Sequence, residues 1–228
     1  MNRFVDAARW HLDGERMRHR LGFVRCMLPN GGVCLSFDDG PDPKWTPVLL
    51  DELARLQVRA TFFCVGRRAL DHPEIVRRML SDGHTVGSHS DEHAHPRTQS
   101  LRAMRRSFER GRQQVESVTG APVWLFRPPT GLVTWRSAAM SRRAGLRTWL
   151  WSVDPEDWRD GITSAEIARR CSAAQSGDIV LLHDAAELPE SEAARDRSAT
   201  VNAVPKIVRA VRDNGLDFVP ISPEFDRA

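Results

Sequence analysis

Short apolar runs recur along this chain, and each ends in a polar cluster. Val33–Phe37, Thr85–Ser88, Val123–Phe126, Thr148–Val153 and Ile179–Leu182 run directly into Asp38-Asp39-Gly40, His89-Ser90-Asp91-Glu92-His93, Arg127-Pro128-Pro129, Asp154-Pro155-Glu156-Asp157-Trp158 and His183-Asp184. Runs of this length predict strands, and the full set is 33–37, 60–65, 84–88, 123–126, 147–153, 178–182 and 217–220. Helical periodicity fills the intervals near 46–57, 73–82, 99–118, 135–144, 163–175 and 201–214. Thr163-Ser164-Ala165-Glu166 has the form of a capping box, and Gly83, Gly145 and Gly215 stand where left-handed helix ends are wanted. Strand–helix alternation predicts an α/β fold: a distorted (β/α) barrel of about seven parallel strands in a single domain. An open doubly wound sheet is disfavoured, because no Gly-x-Gly-x-x-Gly opens a helix.

Two segments stand outside this rhythm. Residues 1–30 form a basic, weakly amphipathic lead-in with Phe4, Val5, Ala8 and Leu12 at helical spacing, and 31–222 form the strand–helix domain. Residues 184–200, rich in Ala, Glu and Ser, interrupt the alternation as either a lid or an insertion.

With 228 residues and a net charge of +3, the chain suits one soluble domain. Its basic residues are nearly all arginine, Lys44 and Lys206 being the lysines, and acids are scattered among the arginine pairs. That pattern reads as solvated helix faces and predicts no nucleic-acid partner. Cys26, Cys34, Cys64 and Cys171 lack metal-ribbon spacing and are expected as free thiols. No apolar signal core and no transmembrane-length run is present, so the expected location is cytoplasmic.

In a strand–helix barrel the chemistry gathers at the C-terminal strand ends, so the five polar clusters are expected to form one site. Carboxylates, histidines and an arginine are the parts of a metal-dependent hydrolase. His89 and His93, four apart, are spaced to share one side of a helical turn, with Asp38 or Asp39 completing a cation site. Two adjacent carboxylates at a strand end need positive compensation, which a divalent metal and Arg127 supply. Asp91 and Glu92 are expected to be exposed on a loop. Trp45, close behind the Asp-Asp-Gly-Pro turn, is the best candidate for stacking on a sugar ring.

Five ordered segments carry a resemblance. Ser36-Phe37-Asp38-Asp39-Gly40-Pro41, His89-Ser90-x-x-His93, Arg127-Pro128-Pro129-Thr130-Gly131, Asp154-x-x-Asp157-Trp158 and Leu181-Leu182-His183 resemble the motifs of the polysaccharide deacetylases. This group is also called carbohydrate esterase family four, or the nodulation-type chitooligosaccharide deacetylase homology domain. The resemblance implies that Asp39, His89 and His93 hold one divalent metal, usually Zn2+, with Co2+ as an alternative. It further implies Asp38 as general base oriented by Arg127, and His183 as general acid tuned by Asp157. Trp158 and Leu181 would line the acetyl slot, and the Thr130 backbone N–H would serve the oxyanion. The family usually has tyrosine where this chain has Thr130, and the chain has no tyrosine at all.

The implied activity is metal-dependent removal of the N-acetyl group from an N-acetylglucosamine-type sugar or oligosaccharide, releasing acetate. The alternatives are the same machinery on another amide (an N-formyl sugar, an imide or a small biosynthetic glycoside) or a non-catalytic carbohydrate-binding relative.

Overall fold

A computed structural model gives the architecture and describes residues 24–29, 31–187 and 195–226. One sheet of seven strands has the order β1-β6-β5-β4-β3-β2-β7, and every neighbouring pair is parallel. The strands are β1 (Val24–Arg25), β2 (Cys34–Asp38), β3 (Thr61–Cys64), β4 (Thr85–Ser88), β5 (Leu125–Phe126), β6 (Arg147–Trp149) and β7 (Ile179–His183). Between them run α1 (Trp45–Arg55), α2 (Gly66–Asp71), α3 (Pro73–Ser81), α4 (Leu101–Thr119), α5 (Trp135–Arg143) and α6 (Ser164–Cys171), and α7 (Ser198–Asp213) follows β7. The sheet curls until its two ends approach, where single bridges join Met27 to Asp178 and Val153 to Val180. The result is the distorted barrel that the alternation predicts.

The period-two alternation of the strands sorts their side chains. Leu35 and Phe37 of β2, Phe62 of β3, and Val180 and Leu182 of β7 face outward. There they join Leu49, Leu50 and Leu53 of α1 and Val204, Ile207 and Val211 of α7 in the main core. Cys34, Phe63, Leu125, Trp149 and Ile179 face inward and pack with Leu28, Ile221 and Phe225, which plug the bottom of the barrel. The same alternation places Ser36 and Asp38 inward on β2, and Leu181 and His183 inward on β7. A packed floor therefore lies beneath a polar upper rim.

Several expectations need correction. Residues 217–220 form no strand; Phe218 contributes one bridge to Val33. Strand 147–153 stops at Trp149, since the chain then turns inward to meet β7 at Val153. The lead-in is described only from Val24, where it supplies β1; its predicted helix lies outside the described residues. The short helix α2 goes unpredicted, because six residues offer too little periodicity. Helix α7 begins at Ser198, inside the segment 184–200, whose residues 188–194 lie outside the described set. Of the expected capping box, Thr163 does accept from the Glu166 N–H at 3.2 Å, but the Glu166 carboxylate pairs with Arg169 and Arg170 instead of returning. Gly83, Gly145 and Gly215 do take positive φ at the helix ends, and all four cysteines are buried free thiols. Among the described residues no helix is long and apolar enough to cross a membrane.

Candidate active site

The five polar clusters meet at the C-terminal rim. At its centre, Asp39 Oδ1 lies 3.4 Å from His89 Nε2 and 3.2 Å from His93 Nε2. One donor atom from each residue falls within 4.8 Å of the others, and all three residues are buried. The histidines are not on a helical turn, contrary to the reading of their spacing. Their segment is irregular, with Ser90 at φ 69° and His93 at φ 52°. The Ser90 hydroxyl accepts from the His93 backbone N–H at 3.1 Å and stabilises this turn. Asp39 itself sits at φ 76°, a region that asparagine and aspartate tolerate better than most side chains.

Against burial, the Asp38 and Asp39 charges raise His89, and a cation would take the place of that proton. His89 Nδ1 lies 2.7 Å from the Arg127 carbonyl, which can only accept, so the proton is on Nδ1 and Nε2 is left for a ligand. Burial opposes charge on Asp39, but His93, His89 and His183 around it hold its carboxyl well below the usual carboxylate range. Burial dominates at His93 and lowers it to about 4, so it is a neutral imidazole near pH 7. Two imidazole nitrogens and one carboxylate oxygen, with coordination positions left open, suit zinc or a similar divalent ion in a hydrolytic site. The donor set fits the implied metal.

Asp38 and Arg127 flank this centre. Arg127 is fully buried, and its Nη1 donates to Asp38 Oδ1 at 2.7 Å and to Ser36 Oγ at 2.9 Å. Nε donates to the Trp149 carbonyl at 3.2 Å and Nη2 to the Leu150 carbonyl at 2.8 Å. The guanidinium also lies 4.1 Å from the Phe63 ring centroid and 5.5 Å from that of Trp151. A buried cation is tolerable only with such complete pairing. Asp38 Oδ2, 3.9 Å from His89 Nε2, points toward the cation site.

His183 stands beside Asp38 on the rim. It is the register partner of Asp38 in the β2–β7 ladder, so strand pairing alone sets the two side by side. Asp157 Oδ1 lies 2.7 Å from His183 Nδ1, and Asp157 Oδ2 accepts from the His183 N–H at 2.9 Å and the Thr200 hydroxyl at 2.8 Å. Burial opposes the imidazolium, but Asp157, with help from Asp39 and Asp38, raises His183 to about 9. A histidine so placed keeps a proton on Nε2 at neutral pH.

The remaining predicted residues fall in different settings. Leu181 is buried on the inward face of β7, and Trp158 is half-buried in the loop after β6. Thr130 is exposed within the turn Pro129–Gly131 at φ 59°, strained for a β-branched residue. Gly131 beside it packs close to Trp151; a Cβ there would approach the indole to 2.2 Å. Trp45 is half-buried against the main core, with the Lys44 ammonium 4.3 Å from its ring centroid. Asp91 is not an exposed loop acid: it is buried and accepts from the Ser107 hydroxyl and the Glu92 N–H.

Sequence reasoning missed a layer of supports: Thr46, Arg68, Asp184, Glu187 and Thr200. Asp184 Oδ2 accepts from the Thr46 hydroxyl at 2.6 Å, and burial raises the Asp184 carboxyl to about 7, with the Asp39 charge adding to the effect. Only its place beside His183 signalled it. Thr200 lay inside the stretch read as lid or insertion.

Comparison with known proteins places these features in context. Residues 28–149 match the family described as Polysaccharide deacetylase. The peptidoglycan-N-acetylglucosamine deacetylase of Bacillus cereus is 35% identical over 88% of this chain and 92% of its own. The chitooligosaccharide deacetylase of Sinorhizobium fredii is 38% identical over 86% of this chain and 95% of its own. Among solved structures, the peptidoglycan N-acetylglucosamine deacetylase Bc1960, in complex with an N-hydroxybenzamide carrying a naphthyl group, superposes with a TM-score of 0.80 at 25% identity. That likeness covers 90% of this chain and 94% of the other.

Proposed function

Because the chain belongs to the polysaccharide deacetylase family, a group of sugar N-deacetylases, we propose that it hydrolyses the N-acetyl amide of N-acetylglucosamine residues in a chitooligosaccharide or peptidoglycan-type glycan. The observation that carries this reading is the pairing of Asp38–Arg127 and His183–Asp157 on neighbouring strands around one candidate cation site.

Asp39, His89 and His93 would hold a divalent ion, zinc by its donor set, whose Lewis acidity acidifies water and polarises the acyl oxygen when bound. Asp38 acts as the general base: Arg127 orients it through Oδ1, and its other oxygen faces the site. It takes a proton from water as the water oxygen attacks the acetyl carbon. The Thr130 N–H, in the tight turn Pro129–Gly131, donates to the oxygen that gains charge. His183 then gives its Nε2 proton to the amide nitrogen, the C–N bond breaks, and acetate and the free amine leave. Asp157 keeps the imidazole protonated and oriented through that step. Leu181 and Trp158 offer the apolar wall for the methyl group. Trp45 is the proposed platform for a sugar ring.

The test is acetate release from N-acetylglucosamine oligomers by protein stripped of metal and re-supplied with zinc or cobalt. Activity that depends on the metal, and is lost in Asp38→Ala and His183→Ala, is the expected result. Metal uptake without cleavage of any oligomer would move the same machinery to another amide. No metal uptake would sink the catalytic reading.

A further inference from the structure

The two oxygens of Asp39 have different partners. Oδ1 faces His89 and His93, whereas Oδ2 accepts from the Glu187 backbone N–H at 3.2 Å. The terminal torsion of an aspartate is broad, so nothing intrinsic to the side chain selects which oxygen faces the histidines. That choice is made from the turn after β7. There Glu187 is held by Arg68 of α2: the Arg68 Nε donates to Glu187 Oε1, and its Nη2 donates to the Ala186 carbonyl at 3.3 Å. Asp42 Oδ2 lies 3.9 Å from Arg68 Nη1 and ties the same guanidinium to the loop that carries Asp39.

Helix α2 is in turn anchored to both ligand-bearing loops. The Val65 N–H donates to the Gly40 carbonyl at 2.9 Å, the Gly66 N–H to Ser90 at 2.9 Å and the Arg67 N–H to Asp91 at 3.0 Å. Arg68 therefore stands on a base built from the residues next to Asp39 and between His89 and His93. Its side chain is 20% exposed and that of Glu187 only 10%, so the pair is shielded from solvent.

We propose that Arg68, acting through Glu187, is a positioning residue that fixes the Asp39 carboxylate for cation binding. This inference rests on the reading of Asp39, His89 and His93 as a zinc site. Charge and positioning predict opposite signs. By Coulomb's law alone, deleting a cation near the site tightens zinc binding. If Arg68 works by holding Glu187 on Asp39, its deletion weakens binding, by about 10-fold to 100-fold for the loss of an outer support to a ligand.

The experiment uses the full chain stripped of metal. Zinc affinity is measured by competition with a chromophoric chelator, the cobalt visible spectrum reports donor geometry, and the metal-free Tm controls for folding. Arg68→Ala is expected to weaken zinc about 10-fold or more and to change the cobalt spectrum, with the metal-free Tm retained. Arg67→Ala, an exposed neighbour, should bind as the wild type does. Glu187→Pro removes the N–H itself and should reproduce the loss, so it decides the matter if Arg68→Ala fails to fold. Unchanged or tighter zinc binding in both variants would overturn the proposal. A wild-type chain that takes up no zinc would instead overturn the cation-site reading beneath it.

Discussion

The proposed general acid gives the sharpest test of the site. His183 is raised from 6.5 to about 9: burial disfavours its charge, but Asp157 more than compensates. At about 1.4 kcal/mol per pH unit, that gap favours the folded imidazolium by about 3 kcal/mol. Little of this is lost to solvent, because the His183 side chain is 14% exposed and that of Asp157 is fully buried. The folded-state pKa lies above the unfolded one, so the stabilisation is fully present below pH 6.5 and disappears as pH rises through about 9. Asp157→Asn keeps the shape and a hydrogen-bond acceptor but deletes the charge. The His183 imidazole should then titrate about 1–3 pH units lower in the metal-free protein, followed by NMR of its ring nitrogens. Urea unfolding at pH 6 and pH 9.5 should show a correspondingly smaller loss of stability in the variant. An imidazole whose titration is unmoved by Asp157→Asn would refute the account, because something other than the dyad would then hold the proton.

Arg127→Met leaves the Asp38 carboxylate buried without its cation and should cost about 3–5 kcal/mol in urea unfolding. Adding Asp38→Asn should recover part of that loss. Gly40→Ala would place a Cβ 2.1 Å from Asp184 Oδ2, so it should destabilise by about 1–3 kcal/mol and weaken zinc uptake, both measurable on the same sample. The thiols should resist iodoacetamide in the folded protein, since burial raises Cys34 to about 11 and Cys171 to about 12. Rapid labelling at neutral pH would contradict the closed core.

The sequence by itself determined six of the seven strands, the polar clusters that follow five of them and the reaction class those residues point to. Local physics is enough for this. Short apolar runs such as Val33–Phe37 and Ile179–Leu182 have few alternatives to a buried strand, and the residues after them are placed at the rim by chain direction. Period-two alternation even assigns Asp38 and His183 to the inner face. The spacing of His89 and His93, in contrast, was read as helical, and only the positive φ at Ser90 and His93 shows how an irregular turn brings both rings to Asp39.

Tertiary structure decided the partnerships. Asp38 and His183 are 145 positions apart in numbering, and the β2–β7 ladder makes them neighbours. Arg127 draws its hydrogen-bond acceptors from β2 and from the residues at the end of β6, Asp91 finds Ser107 on α4, and the turn after β7 folds back onto Asp39. Arg127 apart, none of these supports has a local signature, because a serine or glutamate reads alike whether it faces water or a buried partner. The difference lies in which groups the closed sheet leaves without water, since these must find each other inside.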